Sequence, residues 1–418
     1  MTAEFVTFGC RLNSVETDAM AAHAAAAGLE NVAVVNTCAV TEEAVRQARQ
    51  AIRRLGRERP AARIVATGCA VQTDPAGFAA MPELAAVLGN ADKARGSTWE
   101  ALSQRLSKPG HGFLEVGDVM RAQIAAAPVR PLRPLAVRAF VEVQNGCDHR
   151  CTFCIIPFGR GRSRSVPVDA VVAQARDLTA RGAREIVLTG VDITSYGQDL
   201  AGGPRLGALA KAVLAGVPDL PRLRLSSIDG VEADPDLFDA LATEPRLMPH
   251  LHLSLQSGDD LVLKRMKRRH TRADAIAFCR QVLRLRPEVV FGADLIAGFP
   301  TETEPMFGRS LDLVEECGLT YLHVFPYSPR PGTPAARMPQ VPHRAVRERA
   351  ARLRERGTVA LAAHLRAHVG RTRRVLAETE TLGRTEDYAS VVFGQARRRG
   401  DLIEAVIAGH DGRRLLAP

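Results

Sequence analysis

Three cysteines, Cys147, Cys151 and Cys154, stand in the spacing C-x3-C-x2-C. With only eight cysteines in 418 residues, coincidence is a poor account of that cluster. Three thiolates in one tight loop can hold three irons of a 4Fe–4S cluster and leave the fourth iron without a protein ligand. An open position of that kind is where a substrate or cofactor chelates. A structural zinc site is the alternative. It wants a fourth ligand at close spacing, and His149 lies inside the loop.

Cys10, Cys38 and Cys69 are 28 and 31 residues apart, which forms no motif in one dimension. Each follows a short strand-like run, in the settings Phe-Gly-Cys, Asn-Thr-Cys and Thr-Gly-Cys. In a parallel sheet three such ends lie along one edge, where ligands of these folds bind. Helix N-termini after Cys10 and Cys38 would favour anionic thiolates. Three buried cysteines packed as small hydrophobes is the competing reading. Cys279 and Cys317 fall on apolar faces of helical patterns and read as core.

Positioning these thiols falls to elements visible as hydrophobic periodicity. In residues 1–120, the runs Phe5-Val6-Thr7-Phe8, Val32-Ala33-Val34-Val35 and Ile64-Val65-Ala66-Thr67 alternate with helix-like stretches. One helix is expected after Ser14 as N-cap, ending before Gly28. Another follows Thr41, with Glu42 and Glu43 in its first turn, and ends at Gly56. This order predicts a small sheet of parallel strands with covering helices. Residues 121–135, with Pro128, Pro131 and Pro134, read as a linker. From 136 to 345 a strand–helix unit recurs six times, with strands beginning near Phe140, Glu185, Arg222, Leu251, Val289 and Tyr321. Six consecutive units predict a sheet curled into a partial (βα)6 barrel, although an open doubly wound sheet shares the pattern. Residues 346–369 read as a basic helical connector. Residues 370–418 read as a small antiparallel β module of OB-like size, with alternating runs separated by Gly383, Gly394 and Gly400. The fold class is α/β with an all-β C-terminal module.

Composition narrows the classes. The chain is 46% hydrophobic and 24% charged, ordinary for two or three globular domains. No signal peptide is expected from Met1-Thr2-Ala3-Glu4, and no run is apolar enough to span a membrane. Clustered cysteines in such a chain mean metal or redox chemistry more often than disulfides, and a cytoplasmic location follows as the expectation. The net charge of +10 points to a polyanion such as RNA, although a general surface bias gives the same number. Only five of the 56 basic residues are lysines. Ten arginines and two glutamates fall between His343 and Arg374, where Val346, Ala350 and Leu353 keep a helical apolar face. The arginines are therefore expected to project outward as a stripe.

The Cys147 loop, with Phe153 before its last cysteine, resembles the signature of the radical S-adenosylmethionine superfamily. The segments Phe8-Gly9-Cys10-Arg11-Leu12-Asn13, Asn36-Thr37-Cys38-Ala39-Val40-Thr41 and Thr67-Gly68-Cys69 resemble the N-terminal domain of its methylthiotransferases. Gly383-Arg384-Thr385-Glu386-Asp387-Tyr388 resembles their RNA-binding TRAM module. The resemblance implies two 4Fe–4S clusters, held by Cys147, Cys151 and Cys154 and by Cys10, Cys38 and Cys69. It also implies S-adenosyl-L-methionine as cofactor, tRNA as substrate and an electron donor such as flavodoxin or ferredoxin. Thr189, Gly190, Gln256 and Ser257 are expected to bind the S-adenosylmethionine. Asn-Thr-Cys-Ala-Val-Thr, Ser226-Ser227-Ile228 and the run at 328–336 resemble the branch acting on N6-threonylcarbamoyl-adenosine at tRNA position 37. Asp229 stands where that branch shows Glu. The isopentenyl-adenosine and ribosomal-protein branches remain alternatives, as does a non-catalytic RNA-binding iron–sulfur protein. An arginine should read the threonylcarbamoyl carboxylate by a bidentate pair, the candidates being Arg160, Arg162, Arg164 and Arg330. Tyr388 and Phe393 could stack on bases or pack as β-core.

Overall fold

The computed structural model describes residues 3–108, 113–122 and 136–418. Strands β1 (Glu4–Thr7), β2 (Val32–Thr37), β3 (Arg63–Gly68), β4 (Leu84–Leu88) and β5 (Phe113–Glu115) pair in sequential order, all parallel. Periodicity predicts only the first three, because β4 is a continuous apolar run and β5 has three residues. The first helix, Arg11–Ala26, is capped by Cys10 rather than Ser14, whose N–H already donates to Cys10 O at 3.3 Å. Thr41 caps the next helix, its side chain accepting from Ala44 N, and that helix runs through Gly56 to Glu58. Pro128, Pro131 and Pro134 lie outside the described residues.

The chain continues through β6 (Arg138–Glu142), an antiparallel hairpin of β7 (Gln144–Asn145) and β8 (Arg164–Ser165), then β9 (Glu185–Thr189) and β10 (Arg222–Leu225). It goes on with β11 (Ser227–Ile228), β12 (His250–Gln256), β13 (Val290–Ala297) and β14 (Leu319–Pro326). Outside the hairpin, all of these strands pair in parallel and follow sequence order, with one break in the ladder between β10 and β11. A doubly wound sheet reverses its strand order, and this one never does, so the helices stay on one face and the sheet curls as a partial barrel. Ile186, Leu188, Leu223, Leu225, Leu251, Leu253 and Leu255 share a single core with those helices. Alternation sends Arg138, Glu185, Arg222, Arg224, His250, His252 and Asp294 to the concave face, which is therefore polar.

The C-terminal module contains β15 (Thr372–Ala377), β16 (Leu382–Thr385), β17 (Ser390–Phe393), β18 (Leu402–Val406), β19 (Gly409–His410) and β20 (Leu415–Ala417). Its order is β18-β15-β16-β17-β20-β19, antiparallel except for the β17–β20 pair. It closes on its own core of Val375, Val391, Phe393 and Leu415.

The helix joining barrel to module spans His343–Arg366. Val346, Ala350 and Leu353 are buried as expected, and Gly298 (φ +74°) admits the helix because a Cβ there would lie 2.6 Å from Val346 Cγ2. The outward arginine stripe needs correction. Arg349 is buried against Glu302, with Nη1 2.9 Å from both its carboxylate and its carbonyl oxygen. Arg352 pairs with Glu304, Arg356 with Glu315, Arg344 with Glu348 and Arg373 with Asp387. Three of its arginines, Arg349, Arg352 and Arg356, therefore fasten the helix to the barrel. Arg347, Arg354, Arg366 and Arg371 stay exposed, with no carboxylate partner among the described residues. Arg349→Met strands the buried Glu302 carboxylate and is expected to cost about 3–5 kcal/mol, measured by urea denaturation. Adding Glu302→Leu should recover most of the loss.

Candidate active site

Cys10, Cys38 and Cys69 follow the C-terminal ends of three adjacent parallel strands. Two glycines permit their approach. Gly9 and Gly68 take φ of +96° and +101°, a region hostile to side chains. A Cβ on Gly9 would lie 2.9 Å from Cys38 Sγ, and one on Gly68 would lie 2.4 Å from Thr37 O. Asn13 laces the strand ends together, its Nδ2 donating to Phe8 O at 2.7 Å and Thr37 O at 3.1 Å. Asn90 Nδ2 reaches Cys69 Sγ at 3.5 Å. Burial pushes the Cys38 thiol up to about 11, and Cys69 and Cys10 push it the same way. Crowded thiols resist ionisation unless a cation sits among them, because a bound metal supplies the compensating charge. Three sulfurs of this kind fit a 4Fe–4S cluster with one open iron.

The β7–β8 hairpin brackets the second cysteine triad, with Cys147 N donating to Gly161 O at 3.1 Å. Thr152 anchors the loop through its hydroxyl to Arg265 O at 2.8 Å. Burial pushes Cys154 up to about 12, with further push from Cys151 and from Cys69 of the other triad. The short helix Ile156–Arg160 leaves this loop and rests on Cys69, where a Cβ on Gly159 would lie 3.3 Å from Cys69 Cβ. Asn90 completes the junction by also donating to Gly159 O. The two triads are neighbours.

His149 is pushed up to about 10 by its hydrogen bonds to Cys151 and Glu232. Its Nε2 lies 3.2 Å from Asp192 and 3.3 Å from Glu232. The imidazole thus serves Cys151 and two carboxylates at once. Arg268 adds a second cation, with Nη1 3.9 Å from Cys151 Sγ and Nη2 donating to Ser254 O at 2.7 Å. Burial opposes ionisation of Cys151, yet His149 and Arg268 bring it below its ordinary value. Asp229 pairs with Arg268 at 2.5 Å, so the shorter carboxylate holds that arginine in place.

The loop after β9 is tied to the hairpin by Gln144. Its Oε1 accepts from Val191 N at 3.0 Å and Asp192 N at 2.9 Å, while Nε2 donates to Gly146 O at 2.7 Å. Gly190 has to be glycine, since a Cβ would lie 2.6 Å from Gln144 O. Thr189 is buried, and its carbonyl accepts from Val143 N at 2.9 Å. Gln256 ends β12 at φ +66°, where the ladder to β13 shifts register. Ser257 is buried, and its hydroxyl accepts from Asp259 N at 3.2 Å.

Two of the four arginine candidates are occupied inside the protein. Arg160 pairs with Glu16 at 2.7 Å and donates to Asn145 at 3.1 Å and to Asn13. Arg164 Nη1 donates to the carbonyls of Arg160 and Arg162 at 2.9 and 2.8 Å. Burial opposes ionisation of Glu16, but Arg160 and Lys93 hold it at about 2. Beside it, burial and then the Glu16 charge push Glu142 up to about 7. Arg162 is exposed. Arg330 is half-buried within electrostatic reach of Glu42 and Cys38, and its Nε has no hydrogen-bond partner among the described residues.

Phe393 is core, and Tyr388 is no base platform. The loop bearing Tyr388 enters the barrel, where its ring stacks on His250 at 4.4 Å and lies beneath Arg138, Arg224 and Arg384. Arg11 donates to its hydroxyl at 2.6 Å. Buried Arg222 and Arg224 secure the same module, donating to Arg384 O and Arg374 O at 2.9 Å and to Glu386 O at 3.0 Å. Sequence reasoning missed Gln144, Asn90, Arg268 and the Arg160–Glu16 pair. Gln-Asn-Gly just before the first cysteine is a local signal for Gln144; the others act across long sequence separations.

The sequence profile of the Radical SAM superfamily matches residues 141–314, and that described as Uncharacterized protein family UPF0004 matches residues 2–89. A threonylcarbamoyladenosine tRNA methylthiotransferase MtaB of Rickettsia prowazekii is 47% identical, over 97% of this chain and 94% of the relative. A tRNA-2-methylthio-N(6)-dimethylallyladenosine synthase of Sorangium cellulosum is 37% identical, over 89% and 80%. The radical S-adenosylmethionine methyltransferase TsrM from Kitasatospora setae, solved with tryptophan and a SAM analogue, has a TM-score of 0.53 at 18% identity, over 78% of this chain and 68% of that one, a likeness of fold. With similarity to MtaB running almost end to end and both profiles falling on the two cysteine-bearing units, the chain belongs to the radical S-adenosylmethionine methylthiotransferase family, in its MtaB branch.

Proposed function

We propose that this protein converts N6-threonylcarbamoyl-adenosine at position 37 of tRNA to its 2-methylthio derivative. The observation that carries the reading is the apposition of two cysteine triads, with Gly159 of one loop packed on Cys69 of the other. Cys147, Cys151 and Cys154 would hold the cluster that chelates S-adenosylmethionine, and Cys10, Cys38 and Cys69 the one that carries sulfur. When bound, these groups supply the reducing electron, the adenosyl radical and the methylated sulfur. The polypeptide binds and orients. Thr189 and Gly190 at the end of β9 and Gln256 at the end of β12 would contact the S-adenosylmethionine. Ser257 braces the turn that sets Gln256. His149 and Arg268 keep positive charge beside Cys151. An electron donor such as flavodoxin or ferredoxin completes the scheme, in the cytoplasm.

Arg330 is the residue assigned to the threonylcarbamoyl carboxylate. Its guanidinium is within electrostatic reach of Cys38 and its Nε is unpartnered among the described residues, so an anion there would gain a charge-assisted hydrogen bond. An isopentenyl group has no carboxylate and would leave that capacity unused, which favours the threonylcarbamoyl substrate.

Five outcomes test the proposal. After anaerobic reconstitution the protein should carry about eight irons. Alanine at Cys10, Cys38 and Cys69 should leave about four and keep S-adenosylmethionine cleavage, but abolish 2-methylthio product in tRNA nucleoside mass spectrometry. Alanine at Cys147, Cys151 and Cys154 should abolish 5′-deoxyadenosine formation altogether. Arg330→Gln should lower kcat/KM on threonylcarbamoylated tRNA by roughly 10- to 100-fold, with substrate-free cleavage of S-adenosylmethionine unchanged. Replacing Arg347, Arg354, Arg366 and Arg371 with glutamate should weaken tRNA binding and flatten its salt dependence; equal affinity in a salt titration would return them to ordinary surface.

A further inference from the structure

We propose that His364, His368 and Asp387 form a divalent metal site, suited to zinc or a similar first-row ion, at the joint between the long helix and the C-terminal module. It is separate from the cysteine triads, and the proposed function does not require it. The two histidines are four residues apart on one helix, hence on one face, and Asp387 faces them from the loop after β16. Their ligand atoms form a nearly equilateral triangle. His364 Nε2 and His368 Nε2 are 3.2 Å apart. Asp387 Oδ2 lies 3.4 Å from the first nitrogen and 3.0 Å from the second. Tetrahedral zinc with bonds of about 2.0–2.1 Å spaces its ligand atoms about 3.3–3.4 Å apart, so one ion on the axis of this triangle reaches all three.

Protons alone satisfy the cluster poorly. Both imidazole nitrogens face each other and the same carboxylate oxygen. If both carry hydrogen toward Asp387, the two N–H groups crowd at 3.2 Å. If one is bare, its lone pair confronts the carboxylate. A cation uses all three lone pairs at once. The surroundings hold the ligands in place: side-chain exposure is 6% at His368 and 4% at Asp387, and Thr385 donates to the other Asp387 oxygen. Arg373 Nη2 also sits 3.0 Å from Asp387 Oδ2, as a counter-charge whose side chain, 29% exposed, has room to turn to solvent when an ion arrives. The bound ion would lock the loop whose next residue, Tyr388, enters the barrel.

The test uses the reconstituted holoenzyme, incubated with zinc chloride, desalted and assayed for metals. We expect about one zinc per chain beyond the iron, and zinc-edge X-ray absorption with nitrogen and oxygen neighbours at about 2.0 Å and no sulfur shell. His364→Gln, at the most exposed of the three ligands, should lose that zinc with iron content unchanged. Failure of the native holoenzyme to retain zinc, a sulfur shell, or equal retention by a folded His364→Gln protein would each overturn the site. If that variant fails to fold, the zinc content and absorption spectrum of the native protein decide alone.

Discussion

The ion pair between Arg160 and Glu16 is the contact on which the rest of the site depends. It is buried where the first helix of the N-terminal sheet meets the loop of the second cysteine triad, and Asn13, Asn145 and Lys93 saturate it. A buried charge pair of this kind is weak as a source of stability and strong as a constraint, since either partner alone would be an uncompensated charge in a dry place. Arg160 closes the helix that carries Gly159 onto Cys69, while Glu16 sits two turns beyond Cys10. The pair therefore fixes the register between units that each end in thiols. A site assembled from the strand ends of two sheets needs such a register, because neither sheet alone determines where the other's edge falls.

The same economy of charge explains the arginines. The surplus suggests a surface made for polyanions, but many guanidinium groups act inside. Arg222 and Arg224 on the barrel's concave face reach carbonyls of the C-terminal module, and Arg138 and Arg224 share Glu185. Arg349 does similar work for the long helix. The planar five-donor guanidinium caps carbonyls and carboxylates where a lysine could satisfy fewer of them.

The sequence announces this fold wherever an element has a period or a spacing long enough to register. All six main barrel strands lie within a few residues of where periodicity puts them, and the choice between barrel and doubly wound sheet waited only for strand order. The thiols were legible because C-x3-C-x2-C is local, and because strand ends place Cys10, Cys38 and Cys69 on one edge. What escaped were the apolar strand β4, the three-residue strand β5, the tiny β7–β8 hairpin and a helix capped by cysteine, none of which has a periodic signal. Contacts made across the fold escaped too. Arg160 looks like one more loop arginine in sequence, and Tyr388 looks like a base platform, until the chain is folded and both are found inside.

Tyr388 carries a consequence of its own. Its ring is held by the barrel, its backbone belongs to the β module, and its hydroxyl takes a hydrogen bond from Arg11, the residue after Cys10. The module's seating is thus felt at the first thiol of the N-terminal sheet. A lateral slip of about an ångström breaks a hydrogen bond of this length, so the β module is mechanically a lever whose short arm ends beside Cys10.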